Sequence, residues 1–150
     1  MKVTMKTEGF AGLEKKLNRL PAAASKKVMR SALMLALTPI VKAAKAMAPI
    51  DRIKNNIRKK SAITKANDFK AEAGVIIRTK GNINDPRNGW MWHFFEWGTK
   101  ARRHKKGNKR FTGAIRQQPY LRPAFDQKKE DALARFKTVL AQRIDREAKK

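Results

Sequence analysis

From Ala22 to about Ala48 the apolar residues Met29, Leu33, Ala36, Leu37, Ile40, Ala44 and Met47 recur at helical intervals. Lys26, Lys27, Arg30, Lys42 and Lys45 fall mostly off that stripe. This is the pattern of a long amphipathic helix. At the α-helical rise it would reach about 40 Å, so the rest of a small chain has to be arranged along it. Pro21 suits its first turn. Pro39 falls inside it, where it removes a hydrogen bond and predicts a kink. Ala43, Ala44, Ala46 and Ala48 are small enough for another helix to approach closely, either within the chain or from a second subunit. Pro49 ends the helix.

Shorter elements surround it. Lys2–Lys6 alternates polar and apolar, as a short strand does. Phe10, Leu13, Leu17 and Leu20 predict a short amphipathic helix. Asp51–Lys59 has room for one or two helical turns, with Ile53 and Ile57 spaced by four. Ser61–Thr64 and Phe69–Thr79 read as two strands joined at Asn67-Asp68. In the second, Ala71, Ala73, Val75 and Ile77 share one face. Gly81–Gly89 is a loop rich in Asn, Asp and Pro. After Pro123 a last helix runs to near Glu147, with Leu133, Phe136, Leu140 and Ile144 on its apolar face. There is no internal repeat.

The segment Trp90-Met91-Trp92-His93-Phe94-Phe95-Glu96-Trp97-Gly98-Thr99 holds all three tryptophans of a chain that is only 7% aromatic. Its spacing fits a short helix better than a strand. Large rings are core material, and they are also the residues on which subunits anchor. Glu96 is the exception among them. A carboxylate in such surroundings requires an Arg, a Lys or backbone N–H groups, and His93 lies one helical turn away. Directly afterwards come Lys100, Arg102, Arg103, His104, Lys105, Lys106, Lys109 and Arg110. The stretch from about 100 to 117 reads as a flexible basic loop that orders when something neutralises it.

Charge sets the class of partner. With 37 Lys and Arg against 12 Asp and Glu, the formal net charge is +25. Nucleic acid or an acidic protein neighbour is the expected counterpart. The arm lacks aromatic interleaving apart from Phe111, and the chain has no recognition-helix motif, so any nucleic-acid contact would be independent of sequence. No cysteine is present, which excludes disulfides and Cys-ligated zinc. The two histidines are too isolated to suggest a metal site, and nothing implies a cofactor. No stretch is long and apolar enough to span a bilayer. Neither a phosphate-binding Gly-rich loop nor a dinucleotide fingerprint occurs, and the carboxylates form no acid/base couple. The chain reads as a non-enzyme of one domain, residues 1–150, soluble and intracellular at synthesis.

The order of these parts, with Glu96-Trp97-Gly98-Thr99 followed some twenty residues later by Gln118-Pro119-Tyr120-Leu121-Arg122-Pro123-Ala124, resembles the neck and tail-completion proteins of long-tailed bacteriophages. These form the HK97-type gene-product-ten-like family, related to the minor tail protein Z of lambdoid phages. Such proteins often follow the Ala-Pro pair with a Thr-Gly turn and a Leu-Arg pair; here the chain reads Pro49-Ile50-Asp51-Arg52-Ile53-Lys54. The resemblance implies a virion structural protein at the head–tail junction, without catalytic activity. It implies a ring, commonly six-fold, that contacts head-side connector or stopper proteins and a tail terminator or tube protein, around the channel for the genome. Trp90, Trp92, Phe94, Glu96, Trp97, Gly98, Thr99, Pro119, Tyr120, Arg122 and Pro123 would form the structural motif and interface. Lys100, Arg102, Arg103, Lys105, Lys106, Lys109 and Arg110 would meet DNA or an acidic neighbour. The alternative is a free-standing, sequence-independent DNA- or RNA-binding protein. The fold expected is α+β: a small, mainly antiparallel sheet from the Val3, Ile63 and Val75 segments, packed on the long kinked helix and the C-terminal helix. Glu96 is expected to fix the Gly98-Thr99 turn by hydrogen bonds, and Arg122 to bond an acid or a carbonyl.

Overall fold

The computed structural model of the chain describes residues 10–63, 71–85, 87–103 and 111–149. The strand expected at Lys2–Lys6 and the turn at Asn67-Asp68 lie outside them. The fold is α+β, with a long kinked helix and a C-terminal helix as expected. Helix α1 is Ala11–Asn18, α2 is Ala22–Ala36 and α3 is Thr38–Met47. Helices α2 and α3 are the two halves of the long helix. They part at Leu37, two residues before Pro39, because the proline ring has no N–H to give and crowds the carbonyl one turn earlier. A single turn, α4 (Asp51–Lys54), leads into β1 (Ile57–Ile63), which pairs with β2 (Ala71–Ile77). The Arg78 N–H donates to the Asn56 carbonyl at 2.9 Å, so the start of β1 faces the end of β2 and the pair is antiparallel. Helix α5 covers Trp92–Trp97, and α6 runs unbroken over Leu121–Ala148.

The chain divides into two compact units, with boundaries at Thr38/Pro39, Lys59/Lys60, Gly74/Val75 and Lys129/Glu130. The first unit is centred on Leu17, Val28, Ala32, Leu140 and Ile144, so the stripes of α1 and α2 meet the last turns of α6. Phe10 stacks on Phe136 at its edge, ring centroids 5.6 Å apart. The second unit is centred on Ala44, Ile53, Ile57, Tyr120 and Ala124, all but sealed from solvent. Its alanines admit close neighbours, as the run of small residues in α3 suggested.

The arms of the basic loop pair with each other. β3 (Arg102–Arg103) and β4 (Phe111–Gly113) form an antiparallel ribbon, Arg102 opposite Gly113 and Arg103 opposite Phe111, with an irregularity between the two pairs. Lys105, Lys106, Lys109 and Arg110 lie outside the described residues.

Candidate functional site: a carboxylate cap beneath a basic ribbon

Of the aromatic run, the residue most completely buried is the acid. Glu96 is 7% exposed, Trp97 is 65% exposed, and Trp90, Trp92, Phe94 and Phe95 are half-buried. Its burial follows from its partners. The Glu96 Oε2 accepts from the backbone N–H groups of Tyr120 (3.0 Å) and Leu121 (3.1 Å), and Oε1 accepts from that of Arg122 (3.2 Å). These are donors at the start of α6 that no helical carbonyl can reach. The next residue, Pro123, has no N–H to satisfy, and the Ala124 N–H already donates to the Tyr120 carbonyl at 3.2 Å. Glu96 and Pro123 therefore complete the N-terminus of the longest helix between them. The negative charge also sits at the positive end of the helix dipole. The two sequence motifs are halves of one tertiary helix cap.

This corrects two expectations. The Glu96 side chain holds the start of α6 rather than the Gly98-Thr99 turn. Arg122 serves the site through its backbone N–H; its exposed guanidinium lies 4.0 Å from Asp126, one turn along the helix. The His93 ring is engaged with its aromatic neighbours, 4.1 Å from the Phe94 centroid and 5.9 Å from that of Trp92.

Other bonds tie the ends of the ribbon together. The Gln118 N–H donates to the Phe95 carbonyl (2.7 Å), and the Thr99 N–H donates to the Ile115 carbonyl (2.9 Å). The Ile115 N–H donates to Thr99 Oγ1 (2.9 Å), and Gln117 Nε2 donates to the Glu96 carbonyl (3.2 Å). Gly98 makes this approach possible. Its φ is +72°, and a Cβ there would lie 3.1 Å from the Gln117 nitrogen and 3.2 Å from the Ile115 oxygen. Above this base the ribbon exposes Phe111, while Arg102 lies over the Phe94 ring at 5.1 Å. Trp92 and Trp97 lean on each other, centroids 5.3 Å apart, which supports the exposed Trp97.

Tyr120 is fully buried, and its hydroxyl has no hydrogen-bond partner among the described residues. Burial, and after it the charge of Glu96, push the phenol above its ordinary range. The indole Nε1 of Trp90 is likewise buried without a partner among the described residues.

Sequence reading missed a second organiser. Arg52 donates from Nε to the Asn88 carbonyl (2.8 Å), and from one terminal nitrogen to the carbonyls of Asp85 (2.8 Å) and Ile83. Asn88, 3% exposed, donates to the Gly81 and Asn82 carbonyls and accepts from the Trp90 N–H. The loop before the aromatic helix is thus wound around one guanidinium and one amide. Gly89 sits too close to Ile77 for any side chain. At the loop's rim, Asp85 is held below the usual carboxylate range, first by the Arg87 N–H and then by its guanidinium. The available signal was Arg52 in a chain segment ahead of a loop full of carbonyl-presenting turns.

Among the described residues no group of three His, Asp or Glu side chains is placed to hold a metal ion. The geometry defines an α+β protein whose buried carboxylate serves a helix terminus, with Trp97 and Phe111 exposed beside it. The sequence model of the family described as "Bacteriophage HK97-gp10, putative tail-component" matches residues 11–118, and the chain belongs to that HK97-gp10-like family. The match includes Glu96 to Thr99 and stops before Pro119. No curated protein and no solved structure matches the chain. As a member of a phage tail-component family it is a structural protein of the virion.

Proposed function

We propose that this chain works at the head–tail junction of a long-tailed phage, as a ring-forming subunit that completes the tail or neck so that head and tail join and DNA can pass. The observation that carries the reading is the family match over residues 11–118. The site supports it. A cap that holds the base of an exposed ribbon rigid, beside an exposed Trp97, suits a subunit whose surface is completed by neighbours. Its neighbours in this reading are copies of itself, six by preference, a head-side connector or stopper protein, and the tail terminator or tube. The role in this reading is structural: the Glu96 oxygens are already engaged by three backbone N–H groups of the helix start.

The test is deletion of the gene from the phage, with electron microscopy of the lysate and complementation. Filled heads separate from abnormal or unattached tails, rescued by the intact gene, are the expected result. Normal joined particles would remove the junction role and bring forward a free-standing nucleic-acid-binding protein.

A further inference from the structure

The basic loop is not the chain's only concentration of positive charge. Within the first unit, a cleft of about 260 Å³ is lined by Lys27, Val28 and Ser31 of α2 and by Arg143, Arg146 and Glu147 of α6. Lys27 and Ser31 stand one turn apart on α2, and Arg143 and Arg146 one turn apart on α6, so each helix turns two hydrogen-bond donors to the cleft. Lys27 and Ser31 also line a neighbouring shallow depression with Lys26, Arg30 and Met34. There the Arg30 Nε donates to Ser61 Oγ at 3.0 Å. The two hollows form one strip with five cations and one acid along it. Among the described residues, none of Lys27, Arg143 and Arg146 is held in a salt bridge.

We infer that this cleft between α2 and α6 is a binding site for the phosphodiester backbone of nucleic acid, separate from the basic loop and independent of the chain's position in the particle. The chemistry selects that ligand. Guanidinium, ammonium and hydroxyl donors arranged in a strip match successive phosphate oxygens, and Arg is the side chain best shaped for them. A protein partner would be met by aromatic anchors and few lysines. Among the described residues the exposed rings are Trp97, Phe111 and Phe125, and none of them lines this strip. The site has no means to read bases, so its grip is electrostatic and loosens with salt.

The test is binding of a labelled mixed-sequence DNA duplex to the full chain, by fluorescence polarisation over a range of salt. The triple variant Lys27→Gln/Arg143→Gln/Arg146→Gln is compared with Lys54→Gln/Arg58→Gln/Lys80→Gln, which removes the same charge from exposed positions of the second unit. Circular dichroism confirms that both are folded. Each lost phosphate contact should lower the slope of log K against log salt by about 0.9. The cleft variant is therefore expected to lose a slope of about 2 to 3 and to bind at least roughly tenfold more weakly at low salt, with the control near wild type. Equal losses in the two variants would show that only total charge matters and would overturn the assignment. So would an unchanged cleft variant, or displacement of the DNA by polyglutamate at the same charge concentration as by an unlabelled duplex.

Discussion

Replacing Glu96 by alanine should destabilise the second unit more than any other single change at the site. The magnitude follows from the three N–H groups it leaves behind. The Tyr120 N–H is buried, and stranding it costs about 1–3 kcal/mol. The N–H groups of Leu121 and Arg122 are partly exposed and recover water, so each loses only about 0.5 kcal/mol. Loss of the charge at the helix N-terminus adds about 0.3–1 kcal/mol. The sum is about 3 kcal/mol, larger than an ordinary exposed cap, which is worth about 1. For a chain of this size that is a fall in Tm of roughly 6–12 °C. Glu96→Gln keeps one acceptor oxygen and should fall between, at about 2 kcal/mol, because its NH2 group must face a backbone donor. All three tryptophans belong to the second unit, so their fluorescence reports its unfolding alone, whereas circular dichroism follows helices of both. Denaturant titrations read by both probes should show the fluorescence transition moving first. A Glu96→Ala protein within 0.5 kcal/mol of wild type by fluorescence would refute the account of the cap.

Gly98→Ala should cost about 1–3 kcal/mol, because alanine is strained at a φ of +72° and its Cβ meets the Gln117 nitrogen; an unchanged denaturation midpoint would count against the close approach. Tyr120→Phe should leave stability unchanged or raise it by up to about 1 kcal/mol, since it removes a buried hydroxyl that bonds none of the described residues. The same residue predicts alkaline behaviour. Its folded-state pKa is raised, so its stabilising effect is complete below the unfolded value of about 10 and is lost as pH rises above it. Because it is the chain's one tyrosine, tyrosinate absorbance should stay absent past that pH until the protein unfolds. Arg52→Ala should free three loop carbonyls and lower stability by about 2 kcal/mol, with faster amide exchange at Asn88 and Trp90 as the local readout.

Elements with strong periodicity were legible from sequence. The stripes of α1, α2 and α6, the break near Pro39 and the short aromatic helix all follow from local spacing and a missing N–H. The site was legible as two motifs but not as one object. Nothing local says that a carboxylate at 96 reaches the N-terminus of a helix starting at 121; only the folded chain brings them together. Which of the aromatics are buried was not legible for the same reason. Ring size favours the core, yet a six-residue helix has only one face to bury, and the Glu96 bonds decide which face that is. Arg52 escaped notice because an arginine that binds backbone carbonyls leaves no signature in side-chain type. The ribbon at Arg102–Arg103 was hidden by a composition that reads as loop, since its pairing is made by backbone groups rather than by an apolar face.

The bonded base also separates the ribbon from the fold. Between Thr99 and Ile115 the chain leaves and returns through a closed base: the Thr99–Ile115 pair, the Gln118-to-Phe95 bond and the Glu96 cap all lie at or below it. The second core, Ala44, Ile53, Ile57, Tyr120 and Ala124, takes no residue from the ribbon. Closing the same base with a shorter loop lowers the entropy cost, because closure entropy grows with loop length. Replacing residues 101–113 by a short Gly-Ser turn should therefore leave the fluorescence transition within about 1 kcal/mol of wild type. If the ribbon serves assembly, the shortened gene should still fail to rescue joined particles in a deletion phage. A shortened chain that loses several kcal/mol would show that the ribbon stabilises the fold itself. A stable chain that rescues fully would show that the junction contacts are made elsewhere, with Trp97 the first residue to change next.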